Sequence, residues 1–364
     1  MLIHIWFSLL NSCHTSLNMS ESPMTHLDFV PATAEDYREL MSISVGIYKG
    51  IDYLPYRYHA WLKDHRRRMF VAKTEGRIVG FESFLLVDDG ETAVAQGLRL
   101  APWMKGKGLA RIFVKFLLEK LHSDHPQVKR IRFVHVEDPS PSILKKYKVI
   151  HSKAVVSVIL PSDQLEEAIR LLEARLDSVG QLNNFTILEP AEILNLFCGT
   201  KTAEGLLRGH LLIQGWLPVT TQRSNLEMLF EKKITWIYSQ AQNTSSSAEQ
   251  QQTNLENTVN GGSPFLPPSP VGFLSLGTQA HPVPYAEATY QFEIDLFGYA
   301  PASAKMHVVQ QLKLCIQSLP AGQSIIFHMF AEERLQAELG KLCEGLTQFF
   351  FVKKQVVLEM NILK

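Results

Sequence analysis

The chain of 364 residues has no surplus of either charge: Lys and Arg number 36, Asp and Glu 36, for a formal net charge of zero. Nucleic acids and anionic membranes attract proteins through excess Lys and Arg, so neither is expected as a general partner. Cysteine is scarce. The four present (Cys13, Cys198, Cys315 and Cys343) are far apart and have no C-x-x-C or histidine cluster beside them. That excludes a disulfide framework and a zinc site, and predicts buried thiols in a reducing, cytoplasmic setting with no metal. The apolar stretch Leu2 to Leu10 falls well short of the roughly 20 residues that a spanning helix needs. It also lacks the basic leader of a secretory signal. Residues 1–24 are expected to form a flexible extension. Two nucleotide fingerprints are missing as well. Lys107 is followed by Gly108 where a P-loop needs Ser or Thr, and Gly106-Lys107-Gly108 lacks the third glycine of a dinucleotide loop.

What is present centres on residues 92–122. Thr92 to Leu100 reads as a strand. Leu109 to Leu121 reads as a helix, with Ile112, Phe113, Phe116, Leu117 and Leu121 at helical spacing. Between them lie Pro102 and the closely spaced Gly106 and Gly108. A strand, a glycine turn and a helix start aim backbone N–H groups and the positive helix end at an anion. Lys105, Lys107 and Arg111 add charge, so the stretch is a phosphate cradle.

The flanking pattern predicts a strand at Leu27–Val30, a helix capped by Thr33, a second helix over Tyr56–His65, and a hairpin of Met69–Ala72 with Arg77–Leu86. Beyond the cradle come a strand at Arg130–Val136, a short helix at Pro141–Tyr147 and a strand at Ala154–Ile159. Arg66-Arg67-Arg68 reads as a solvated helix end.

In this register the cradle resembles the acyl-CoA loop of the GNAT N-acetyltransferase superfamily, Gln/Arg-x-x-Gly-x-Gly/Ala. Lys105 stands in the first place, Gly108 and Ala110 in the small places, and Leu98-Arg99-Leu100-Ala101-Pro102 in the lead-in. The element order over residues 27–160 is similar to that family's. The stretches Ala32–Tyr37, Ile51–Pro55 and Gly97–Pro102 further resemble the histidine N-acetyltransferase family. The resemblance implies an α/β GNAT fold with a mixed central sheet, acetyl-CoA as co-substrate, and a free amino acid, histidine first, acetylated on its α-nitrogen. It implies backbone contacts to acetyl-CoA from Leu98 and Leu100, and pyrophosphate on Lys105, Gly106, Lys107, Gly108, Leu109, Ala110 and Arg111. The family's Asn-x-x-Ala-x-x-x-Tyr falls on Ser140, Ile143 and Tyr147. Tyr147 is thereby implied as the acid for the departing thiolate, and Ser140 replaces an asparagine near the pantetheine arm.

Other roles are read from residue type. Glu82, a carboxylate among aromatics, is a candidate base; Gln96 stands where many relatives carry an acid and takes no proton, so a water relay stays open. The resemblance implies that Leu98 offers an N–H for the oxyanion. Arg99, Tyr53 and Tyr56 are candidates for the acceptor, and His135 for a relay.

Beyond Leu165–Leu176, residues 240–270 are poor in apolar side chains and read as a disordered insertion. The order strand, helix, strand, helix, strand then repeats to Met360, with Gly298-Tyr299-Ala300-Pro301 at the place of the glycine loop. The expected division is 1–24, 25–160, the catalytic domain, and 161–364, a second, degenerate GNAT-like half without the cradle. A peptide or protein N-acetyltransferase, and a non-catalytic acyl-CoA-binding protein, remain the alternatives.

Overall fold

The computed structural model describes residues 27–176, 185–198, 205–240, 272–349 and 352–362. The expected extension at 1–24 and all but residue 240 of the expected insertion lie outside the described residues.

The first half begins with β1 (Asp28–Pro31), α1 (Tyr37–Ile43) and α2 (Leu54–Lys63). Three antiparallel strands follow, β2 (Arg67–Thr74), β3 (Arg77–Val87) and β4 (Thr92–Leu100). Their turns place Glu75, Gly76, Asp88, Asp89 and Gly90 at positive φ, which suits the right-handed twist of a hairpin. Then come α3 (Leu109–Asp124), β5 (Arg130–His135), α4 (Pro141–Leu144) and β6 (Lys148–Leu160). Leu109, Phe113, Leu117 and Leu121 form the buried stripe of α3. Asp36, not Thr33, occupies the N-cap of α1, and its carboxylate accepts the Thr33 N–H at 2.8 Å.

The second half runs through α5 (Leu165–Ala174), β7 (Phe185–Ile187) and α6 (Pro190–Cys198) to a hairpin of β8 (Leu211–Gln214) and β9 (Leu217–Thr220). Next are α7 (Arg223–Phe230), β10 (Thr235–Ser239), β11 (Phe273–Gly277), β12 (His281–Pro282) and β13 (Thr289–Phe297). It ends with α8 (Pro301–Ser318), β14 (Ser324–Ala331), α9 (Gln336–Leu342), β15 (Thr347–Gln348) and β16 (Lys354–Asn361).

The halves share one sheet, in the order β1-β2-β3-β4-β5-β16-β6-β14-β13-β11-β10-β7. β16, from the end of the second half, lies between β5 and β6 and is antiparallel to both. β6, from the end of the first half, pairs in turn with β14. Each half thus gives its last strand to the other. A division at residue 160 separates the chain but not the sheet.

Each half has one parallel pair, and the two pairs differ. β4 and β5 are in register only for Thr92–Val94 against Arg130–Arg132, and beyond that they part. β13 and β14 stay paired for seven residues, Thr289–Asp295 against Ser324–Phe330. The first half has an opening between its parallel strands; the second is zipped shut.

Asp88, fully buried at the β3–β4 turn, ties the halves together. It faces Arg132 at 3.1 Å and accepts from Asn225 Nδ2 and Thr220 Oγ1, both at 2.7 Å. Arg132 also meets Glu359 of β16 at 2.7 Å. Cys315 and Cys343 are buried as expected, but Cys198 at the end of α6 is exposed. Among the described residues no helix is long and apolar enough to cross a membrane.

Because β16 fills the middle of the shared sheet, a cavity there should weaken the whole molecule. Leu358 is fully buried. Leu358→Ala is expected to cost about 2–5 kcal/mol and to shift a single cooperative urea transition, read by both fluorescence and circular dichroism.

Candidate active site

After β4 the chain makes one helical turn at Pro102–Met104 and reaches Gly106 and Gly108, both at φ +76°. A Cβ at either glycine would touch nothing within 4 Å. The backbone conformation, not crowding, calls for glycine, and the space over the loop stays free. Gly108 caps α3 in the left-handed conformation. The N–H groups of Leu109 and Ala110 lie in the first turn, where no carbonyl one turn earlier can receive them. Lys105 and Lys107 are exposed beside them and Arg111 is half-buried. Open N–H groups, a positive helix end and three cations fit a diphosphate.

The second feature is on β4 itself. Its register with β3 pairs Arg99 with Phe81 and Gln96 with Ser83. Gly97 and Leu98 together therefore face Glu82, a β-bulge that re-aims the backbone next to the opening between β4 and β5. Gly97 is at φ +95°, and a Cβ there would stand 3.1 Å from Phe81 and 3.2 Å from Trp61. Glu82, only 1 % exposed, is not a solvent-facing strand residue. The expected base and the expected oxyanion donor are thus brought opposite one another.

Gln96 is fixed on both sides. Its Oε1 accepts from Arg67 Nη2 at 2.8 Å and its Nε2 donates to Trp216 O at 2.8 Å. A carboxylate in its place would lose the second bond, which accounts for an amide here.

Several expected residues stand differently from their reading. Arg99 does not face an open pocket. It is fully buried, Nη2 lies 2.5 Å from Asp52 Oδ1, and its guanidinium is 5.2 Å and 5.3 Å from the rings of Tyr48 and Tyr53. Burial opposes the charge, but Asp52 outweighs it and holds the guanidinium above its ordinary pKa. Its charge is already matched, so it is not left to receive an acceptor carboxylate. Tyr53 packs in this cluster, and burial raises its phenol. Tyr56 is exposed, its ring stacked 4.9 Å from that of His281 in the second half.

Tyr147 follows α4 instead of ending it. It is 3 % exposed and edge-on to Phe133 at 4.9 Å, in a cluster with Val356 and Leu358 of β16. Burial pushes its phenol well above the ordinary value, which keeps it in the protonated form a proton donor starts from. Ser140 is exposed at the N-cap of α4, its Oγ 2.7 Å from Ser142 Oγ. Leu100 is buried against Gly80 across the strand pair. His135 is buried, with Nδ1 2.6 Å from Glu137 O.

Arg67 corrects another reading. It begins β2, is buried, and lies with its guanidinium 3.7 Å from the Trp61 ring centre while Nη1 donates to Ser83 Oγ at 2.9 Å. Burial lowers its pKa to about 9. Arg66 binds Asp64 and, across the halves, Glu231 at 2.6 Å.

Three further groups were not picked out from sequence: Arg57 on α2, Lys232 after α7, and the β8–β9 hairpin with Gly215 and Trp216. Burial, with Arg57 and Arg67 nearby, lowers Lys232 to about 7. Gly215 N–H donates to Asp295 at 2.5 Å, and Lys153 meets the same carboxylate at 3.2 Å. These contacts join segments far apart in sequence, so only the alternation Gln291, Glu293, Asp295 on β13 offered a signal.

A cavity of about 1260 Å³ opens beyond the end of β5, alongside β6. Its wall includes Lys105, Tyr48 and Glu137 from the first half and Glu333, Phe349 and Lys353 from the second. Glu82 on β3, Leu98 on β4 and Tyr147, just before β6, are not in that wall.

A bulged strand, a parted parallel neighbour and a glycine cradle at the following helix define an acyl-CoA-dependent acyltransferase. The first half of the chain contains a GNAT acetyltransferase domain. Residues 33–148 match the Acetyltransferase (GNAT) family, and residues 181–266 and 268–332 match the family described as Histidine N-acetyltransferase, C-terminal. It is 28 % identical to the histidine N-acetyltransferase of Oreochromis niloticus over 96 % of this chain and 99 % of that one. It is 29 % identical to the probable N-acetyltransferase 16 of Homo sapiens, over 94 % and 88 % respectively. Among solved structures it is similar in fold to a tandem GNAT protein from the clavulanic acid biosynthesis pathway. That match has a TM-score of 0.53 at 13 % identity and covers 92 % of this chain and 98 % of the other.

The placement of Arg99 can be tested through its partner. Asp52→Asn leaves a buried guanidinium without a counter-charge and is expected to cost about 3–5 kcal/mol in urea unfolding. Unchanged stability with tighter acceptor binding would show that Arg99 had been released to serve the acceptor.

Proposed function

We propose that the chain uses acetyl-CoA to acetylate the α-amino group of free L-histidine, in the cytosol. The observation that carries the reaction is the Gly97–Leu98 bulge facing Glu82 beside the parted β4–β5 pair. The identity of the acceptor rests on similarity to histidine N-acetyltransferases along nearly the whole chain, second half included.

Acetyl-CoA, when bound, supplies a thioester carbonyl and a thiolate leaving group. Lys105 to Arg111 hold its diphosphate, and the backbone of Leu98 and Leu100 orients its arm along β4. The Leu98 N–H, re-aimed by the bulge, donates to the carbonyl oxygen as it gains charge. Glu82, directly or through water, takes the proton of the acceptor's ammonium. With an α-amino pKa near 8, the help needed at neutral pH is modest. Tyr147 gives a proton to sulfur as the C–S bond breaks, and the second proton that the nitrogen sheds on becoming an amide restores the phenol through water. The second half takes no acetyl-CoA, since it lacks the glycine cradle and its parallel strands are closed; it covers the acceptor. That cover favours a small acceptor over a protein substrate.

Purified protein mixed with acetyl-CoA and each amino acid in turn, with free thiol followed, tests the reading. Thiol release is expected with L-histidine above all others, rising with pH to a plateau above about 8 as the amine loses its proton. Silence with every amino acid overturns it, and turnover of peptides alone points to the protein-directed alternative.

A further inference from the structure

On β13, Phe292, Ile294 and Leu296 join the apolar cluster that includes α8, while Gln291, Glu293 and Asp295 share the opposite face. Asp295 has its charge met by Lys153 and the Gly215 N–H. Glu293 is treated differently. It is 2 % exposed, and its Oε1 accepts from Gln291 Nε2 at 3.2 Å. Its Oε2 is buried without a hydrogen bond of full geometry among the described residues; the Gly215 backbone packs against it and the Trp216 side chain approaches the carboxylate. The nearest cation, Arg57 Nη2, stands 4.0 Å away, beyond hydrogen-bond reach. Burial raises the Glu293 carboxyl above its usual range, against the pull of Arg57, of the Trp216 and Gln291 side chains and of Lys232.

A second buried polar atom points the same way. His281 Nε2 has no hydrogen-bond partner among the described residues, and the ring is stacked on Tyr56. Burial lowers His281 to about 3, so it stays neutral and adds no positive charge to that of Arg57. Leaving a buried acceptor unmet costs about 1–3 kcal/mol, more when it is charged. A ligand N–H placed there recovers that cost.

The position is tied to the transfer site by α2. Trp61 packs against Gly97 of the bulge, and Arg57 lies one helical turn earlier on the same helix, about 6 Å along the axis. An acceptor with its α-nitrogen at the bulge therefore extends its side chain toward Glu293 and passes Arg57. Arg57 keeps 28 % of its side chain exposed, where a carboxylate can reach it.

We propose that Glu293, carried by the second half, accepts the imidazole N–H of the acceptor bound at the first half's transfer site, while Arg57 pairs with its α-carboxylate. This rests on the reading of histidine as acceptor and adds what selects it. The selecting group comes from the half without the cradle, so neither half alone defines the substrate.

Steady-state kinetics on the full chain tests it, with L-histidine as substrate and histamine, which has the ring but no carboxylate, as competitor. Glu293→Gln preserves shape and removes the charge. It is expected to raise the KM for histidine and the inhibition constant of histamine roughly tenfold or more, with the KM for acetyl-CoA within about twofold. Arg57→Gln should raise the KM for histidine and leave histamine inhibition unchanged. A wild-type enzyme that turns over histidine, with both constants unaltered in Glu293→Gln, overturns the inference and leaves the function standing. A wild-type enzyme that turns over other amino acids but not histidine removes both, before any variant is made.

Discussion

The pairing of β16 with β5 and β6 is the contact on which the rest of this structure depends. It places the last strand of the chain in the middle of the first half's sheet, where Val356, Val357 and Leu358 are buried. β6 in turn completes the second half by pairing with β14. A backbone ladder of this kind satisfies N–H and C=O groups that would otherwise be stranded in the interior. The first half is incomplete without the end of the chain. Tyr147 shows the consequence at the site, since two of the residues it packs with are on β16.

Within that shared sheet the halves have diverged at equivalent places. In the first, β5 is occupied by β16 along its length while β4 bends away after Val94, and the bulge at Gly97–Leu98 lies beside the gap. In the second, β13 and β14 remain zipped, and the face of β13 carries buried acidic groups toward the first half. Zipped strands leave no slot for a thioester arm. Buried carboxylates with incomplete partners carry a cost in stability, and such groups mark a binding surface when they face a reaction site. In the function proposed here, one copy holds the donor and the other shapes the acceptor.

The sequence showed the local features well because their causes are local. Glycine spacing fixed Gly106 and Gly108, helical periodicity fixed α3, and element order revealed both halves. It was silent on the strand exchange, because nothing in Lys354–Asn361 says which of several apolar strands will flank it. Arg99 was misjudged for a similar reason. A strand arginine offers a cation, and only the fold shows that Asp52, 47 residues earlier, has already taken it. Arg67 was misplaced because a basic triplet resembles a solvated helix end until Trp61 and Gln96 are seen to enclose it. Glu293 lay in an alternating strand whose pattern gave its face but not what the face would meet.

A chain built from two related halves, only one of them with a glycine cradle, is expected to hold a single acetyl-CoA site, in the first half. Calorimetric titration of the purified protein with CoA measures this directly. One CoA bound per chain is expected, and two per chain would show that the second half also binds it.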